Sequence, residues 1–108
     1  NPIQQEILRT VADFAGIPSE KIAVGVDGCA APNFALSLRA MALSFARLVF
    51  APQNFAEETQ AAARRVVSAM LDFPEMIGGT GRLDTLIMRA AGGKLISKIG
   101  ADGVWLCG

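Results

Sequence analysis

The stretch GVDGCAAPNFALSLRA, residues 25–40, sets an acid and a thiol two residues apart, between glycines and ahead of a long apolar segment. A carboxylate such as Asp27 can orient hydroxyls or lysines, and a thiol such as Cys29 can react or bind a soft metal. Gly25 and Gly28 would let a ligand approach the backbone closely. The same residues also fit a plainer role. Asp-Gly is a common turn pair, and a lone buried cysteine behaves as a small inert hydrophobe. Zinc needs further ligands, Cys107 is the only other thiol, and nothing in the spacing brings it near Cys29.

Two further segments hold chemically capable residues. GGTGRLDT, residues 78–85, is a glycine turn leading into a helix. Free backbone N–H groups at the positive end of a helix dipole suit a carboxylate or phosphate. No Gly-Lys-Ser/Thr follows and the last glycine of a dinucleotide fingerprint is absent, so neither of those motifs applies. An ordinary helix start, with Thr80 as cap and Asp84 in the first turn, fits equally well. In KIGADG, residues 98–103, Lys98 lies on an extended run before Gly100. A Lys-x-Gly strand beside the nucleophile is a feature of penicillin-recognising serine hydrolases. A strand lysine facing solvent is the commoner case.

The elements that must hold these residues follow from periodicity. Asn1-Pro2 reads as cap and first helical residue, with Gln4 three beyond the cap. Ile3, Ile7, Leu8, Val11 and Phe14 keep helical spacing until Gly16 ends the run. A turn and a short extended segment then enter the Asp27 loop, which Pro32-Asn33 closes. A second helix is expected over residues 34–50, apolar on more than one face and therefore buried, with Pro52 as its stop. Asn54 and Glu57 suggest a capping box for a third helix ending near Leu71, whose Glu57, Glu58, Arg64 and Arg65 form a solvated face. A fourth helix is expected over residues 82–91, and KLISKIGADGVWLCG reads as two strands joined at GADG. The fold class is thus α+β, mostly helical with a C-terminal β-hairpin, in a single domain over residues 1–108.

Composition narrows the function classes. Of the 108 residues 52% are apolar, rich for so small a body, whereas Lys plus Arg and Asp plus Glu balance at ten each. Balanced charge argues against nucleic acid or an anionic membrane as partner. No apolar run reaches the roughly 18 residues of a membrane span, and the start lacks the order of a secretory signal. Two cysteines without a CxxC fit a reducing, cytoplasmic setting. The absence of histidine excludes Ser-His-Asp and Cys-His triads built from this chain alone, and every imidazole metal site.

Taken together in order, NPIQQEILRTVADFAGIP, GVDGCAAPNFALSLRAMALSFARL and GGTGRLDTLIMRAAGGKLISKIGADGV resemble the C-terminal part of the asparaginase II family, the Rhizobium-type thermolabile L-asparaginases. The resemblance covers nearly the whole chain and is least distinctive over residues 50–73. It implies hydrolysis of L-asparagine to L-aspartate and ammonia, on a fold like the serine β-lactamases and glutaminases. It also implies a Ser-x-x-Lys nucleophile and a zinc site of two cysteines and a lysine. By position, Cys29 resembles one zinc ligand, Asp27 the carboxylate beside the active site, and Lys98 the strand lysine near the nucleophile. Thr80, Gly81 and Arg82 fall in the family's glycine turn, near the substrate.

One departure from the pattern shapes the expectation. None of Ser19, Ser37, Ser44, Ser68 and Ser97 is followed by lysine three residues later, and the partner cysteine and lysine of the zinc site are missing as well. The chain is therefore expected to be the C-terminal portion of a longer asparaginase, inactive alone and with an incomplete zinc site. The apolar ending and a hairpin too small to stand alone point the same way. Its expected partners are L-asparagine, the remainder of the same protein and a second copy in a homodimer. The competing reading is a free-standing helical interaction module.

Overall fold

The structure, a computed structural model, describes all residues 1–108. It is α+β, mostly helical, and ends in the expected two-stranded antiparallel hairpin. Two compact units divide it, Asn1–Ser44 and Phe45–Gly108.

In the first unit, helix α1 (Pro2–Ala15) begins as its sequence requires. Asn1 Oδ1 accepts the Ile3 N–H at 3.0 Å, and Pro2, which has no N–H to satisfy, takes the first helical position. Gly16 ends the helix at φ 67°, where a side chain would be strained, and the Ile17 N–H closes back on the Ala12 carbonyl at 3.1 Å. Ala12 and Ala15 are buried, whereas Ile3 and Ile7 are exposed.

A hairpin follows that differs from the sequence expectation. Strand β1 (Ala23–Val26) pairs antiparallel with β2 (Pro32–Ala35), with Val24 opposite Phe34 and Val26 opposite Pro32. The second helix therefore does not open at Phe34. Phe34 and Leu36 are half-buried between exposed Asn33, Ala35 and Ser37, a period of two that belongs to extended chain. Helix α2 (Leu38–Val49) starts only where the Ser37 Oγ accepts the Ala40 N–H at 3.2 Å. Nor is this helix buried all round: of its residues only Ala40 is fully buried, and Leu38 is exposed.

In the second unit, helices α3 (Glu57–Asp72), α4 (Pro74–Gly78) and α5 (Leu83–Ala90) precede strands β3 (Ser97–Ile99) and β4 (Trp105–Cys107). Met70, Met88 and Ile96 form its core, surrounded by Phe45, Leu48, Val49, Val67, Leu71 and Ile77. Full burial of each such side chain stabilises the fold by roughly 1.5–3 kcal/mol. The capping box at α3 does not form, because the cap is Ala56 and no side chain closes it. Glu57 and Glu58 instead sit in the first turn, where the helix dipole favours an acid. The solvated face of α3 is as expected, with Glu57, Glu58, Arg64 and Arg65 exposed. Between the third and fourth helices expected from the sequence, DFPEMIGG contains the short α4, with Pro74 in its first turn. A bidentate pair ties α4 to α5, Arg89 donating to Glu75 at 3.0 and 2.7 Å.

Candidate functional site

Asp27 and Cys29 lie in the loop between β1 and β2. Asp27 Oδ1 accepts the Cys29 N–H at 2.8 Å and the Ala31 N–H at 3.1 Å. Its own N–H donates to the Ala31 carbonyl at 3.0 Å. This is an Asx turn, in which the carboxylate stands in for a backbone acceptor and fixes the loop. The strain of the turn falls on Ala30, at φ 59°. Asp27 and Cys29 are exposed, so the thiol is open to solvent and is not an inert core group.

The glycine turn holds Thr80, Gly81 and Arg82, all exposed, with Gly79 at φ 91° and Gly81 at φ 70°. Arg82 rather than Thr80 precedes α5 as its cap residue, in extended backbone and without a capping side-chain bond. Thr85 takes over the fastening of the turn: its hydroxyl lies 2.6 Å from the Gly79 carbonyl and 3.1 Å from that of Pro74. Gly78 makes this closeness possible. A Cβ there would lie 2.9 Å from both Asp84 Cβ and Thr85 Oγ1.

Asp84 departs most from its sequence reading. It stands in the first turn of α5, as expected, yet it is 1% exposed and its carboxylate reaches β3. Oδ1 accepts the Ser97 hydroxyl at 2.6 Å, and Oδ2 accepts the Ile99 N–H at 2.8 Å. The buried Ser97 oxygen in turn accepts the Trp105 indole N–H at 2.9 Å. One carboxylate thus joins α5, β3 and β4. A buried acid is costly unless hydrogen-bonded, and here each oxygen has a donor.

Lys98 sits between those two fastened residues and opposite Leu106 in the ladder. Side chains alternate along a strand, so a buried Ser97 places Lys98 on the other face. Lys98 is exposed, and its ammonium donates to the Ile99 carbonyl. The hairpin connection is as the sequence suggests, with Asp102 taking a left-handed conformation at φ 54° in the GADG turn.

Asp27 and Cys29 therefore belong to the first unit, whereas Thr80, Gly81, Arg82 and Lys98 belong to the second. Within the second unit Asp84, two residues after Arg82, bonds to the residues flanking Lys98 and so links the turn to the strand. Sequence reasoning singled out neither Ser97 nor Trp105. The available signal was alternation: a strand that turns Lys98 outward must turn Ser97 inward, and an inward hydroxyl needs a partner.

The donors present do not make a zinc site. Cys29 is exposed, and no three Cys, Asp or Glu side chains gather where an ion could sit. No step is therefore routed through a metal. No helix is long and apolar enough to cross a membrane.

A family model described as L-asparaginase II matches residues 1–108. Among curated proteins, none matches the chain.

Proposed function

The chain belongs to the L-asparaginase II family, and from that premise we propose that it is part of an amidohydrolase converting L-asparagine and water into L-aspartate and ammonia. In this reading the nucleophile is a serine of a Ser-x-x-Lys segment outside residues 1–108, and the complete protein has a fold like the serine β-lactamases. Serine oxygen attacks the side-chain amide carbon while its proton passes to a neutral lysine. The C–N bond then breaks as the nitrogen takes a proton and leaves as ammonia. Water attacks the resulting ester, releases L-aspartate and returns the proton to serine.

Lys98 has a defined part in this scheme. A lysine serves as base only if its pKa falls, and a second ammonium nearby lowers it. Lys98 supplies that charge to the Ser-x-x-Lys lysine. Asp27 orients the hydroxyls and ammonium groups around the serine. The glycine turn of Thr80, Gly81 and Arg82 meets the substrate, where the Arg82 guanidinium suits the α-carboxylate. Cys29 would supply one thiolate to a zinc ion, whose remaining ligands would have to come from outside residues 1–108. The working form is a cytoplasmic homodimer.

The observation that carries this reading is the family match across all 108 residues. The test is ammonia release from L-asparagine by this chain and by the uninterrupted product of its gene. Release by the longer product alone supports the scheme. Release by the isolated chain would contradict an external nucleophile, and release by neither would remove the enzymatic reading.

A further inference from the structure

We propose that Asp84 is a positioning residue for Lys98, holding the strand on both sides of the lysine so that its ammonium is presented in one direction. The inference rests on the proposed role of Lys98 and deepens it.

Ile96 and Gly108 exchange backbone hydrogen bonds at 2.8 and 3.1 Å, and the Gly100 N–H bonds to the Val104 carbonyl at 2.7 Å. In an antiparallel pair such positions alternate with non-bonded ones, so Lys98 turns its backbone toward β4 and Ser97 and Ile99 turn theirs away. Ile99 thus offers its N–H on the outer edge of β3, where a neighbouring strand would supply a carbonyl. Asp84 Oδ2 takes that place at 2.8 Å. The other oxygen of the same carboxylate holds the Ser97 hydroxyl at 2.6 Å. Residues 97 and 99 are therefore fixed by one rigid group, while residue 98 between them carries the exposed amine.

Two more observations bear on the choice of an acid here. Asp84 and Ser97 are 1% and 0% exposed, so water cannot replace the bond between them, and the bond to Ile99 is part-buried. Both oxygens of Asp84 face donors, an arrangement an ionised carboxylate meets fully. An amide in its place would bring an NH₂ group against one of them. The Trp105 indole N–H, bonded to Ser97 at 2.9 Å, holds the serine from the other strand. Because Asp84 follows Arg82 by two residues on a helix fastened by Thr85, the carboxylate also sets the distance between the glycine turn and the lysine strand.

The test uses the uninterrupted gene product and compares Asp84→Asn, Ser97→Ala, Lys98→Ala and the double variant Asp84→Asn/Lys98→Ala by steady-state ammonia release from L-asparagine. A misplaced reacting group costs on the order of 10- to 100-fold in rate. Asp84→Asn is expected to lower kcat by that factor with KM changed less than about twofold. In the Lys98→Ala background the same substitution is expected to cost almost nothing further, because groups acting as a unit are not additive. An equal fold-loss in both backgrounds would show Asp84 to be merely structural and overturn the proposal. Ser97→Ala keeps the Ile99 bond and removes only one anchor, and a smaller loss of the same kind is expected. This variant carries the test should Asp84→Asn not fold, and an unchanged kcat in it would then overturn the proposal. If Lys98→Ala has the activity of the parent, the proposed role of Lys98 fails first, and the inference with it. If Lys98→Ala is inactive but Asp84→Asn is fully active, only the inference fails.

Discussion

Gly78→Ala opposes two effects of known size, and the structure decides between them. Gly78 ends α4. In a helix an alanine is favoured over glycine by roughly 0.5–1 kcal/mol, because glycine loses more backbone entropy on folding. Against this, the new methyl would stand 2.9 Å from Asp84 Cβ and Thr85 Oγ1, and 3.1 Å from the Thr85 backbone nitrogen. Ordinary contact begins at 3.4 Å, so the shortfall is about 0.5 Å against two atoms at once. Neither is the loose end of a flexible side chain. Thr85 is held to the Pro74 and Gly79 carbonyls, and Asp84 to Ser97 and Ile99. Relief requires moving the start of α5, and overpacking of this kind costs about 1–3 kcal/mol. The clash wins. The expected net loss is about 1–2 kcal/mol, or a fall in the urea midpoint of roughly 0.5–1 M with an unchanged slope. Equilibrium urea unfolding followed by circular dichroism reads it directly. A midpoint at or above that of the parent would refute the close approach of α4 and α5.

Asp84→Ala leaves the buried Ser97 hydroxyl and the part-buried Ile99 N–H without their acceptor, and a loss of about 1–3 kcal/mol is expected by the same unfolding assay. Met88→Ala opens a cavity in the core beside Met70 and Ile96 and is expected to cost about 2–5 kcal/mol, read as a lower thermal midpoint. Ala30→Gly relieves a left-handed residue at φ 59°, and a gain of up to about 1 kcal/mol is expected once the entropy of glycine is subtracted. The hydrogen bonds from Arg89 hold the Glu75 carboxyl below its ordinary pKa. That pairing stabilises fully above the unfolded glutamate range and is lost as pH falls through the lowered folded value. Glu75→Gln should remove this acid-side loss, so parent and variant converge in thermal midpoint at the lowest pH and separate as pH rises.

Much of the helical frame is legible in the chain because its signals are local. Asn1, Pro2 and Gly16 bound α1 through their own backbone chemistry, and the apolar spacing of LDTLIMRA marks α5 within a residue at each end. Local signals fail where pairing partners compete. PNFA carries no helix-breaking residue after its proline, and its strand form depends on β1 supplying the other half of the ladder. Asn54 and Glu57 have the spacing of a capping box, but the cap is Ala56 and the helix begins at Glu57 itself, so the spacing is out of register by two. The candidate residues Asp27, Cys29 and Lys98 are visible as types. Their settings are not, because the Asx turn and the Asp84 bridge are decided by which groups lack partners after folding. Asp84 lies 13 residues from Ser97 and 15 from Ile99 along the chain, a separation that no periodicity encodes.

In the proposed scheme the role of this chain is to contribute Lys98 to an amide hydrolysis begun by a serine elsewhere in the protein. Its most direct test is the rate of ammonia release from L-asparagine by the uninterrupted gene product and by its Lys98→Ala variant, with thermal midpoints measured alongside. Without the Lys98 charge the Ser-x-x-Lys lysine stays protonated, and its general-base contribution, on the order of 10²–10⁴-fold, is lost. The expected result is turnover by the parent and a loss of at least about 100-fold in the variant, at an unchanged midpoint. Equal rates in the two proteins, or no ammonia from either, would contradict the account.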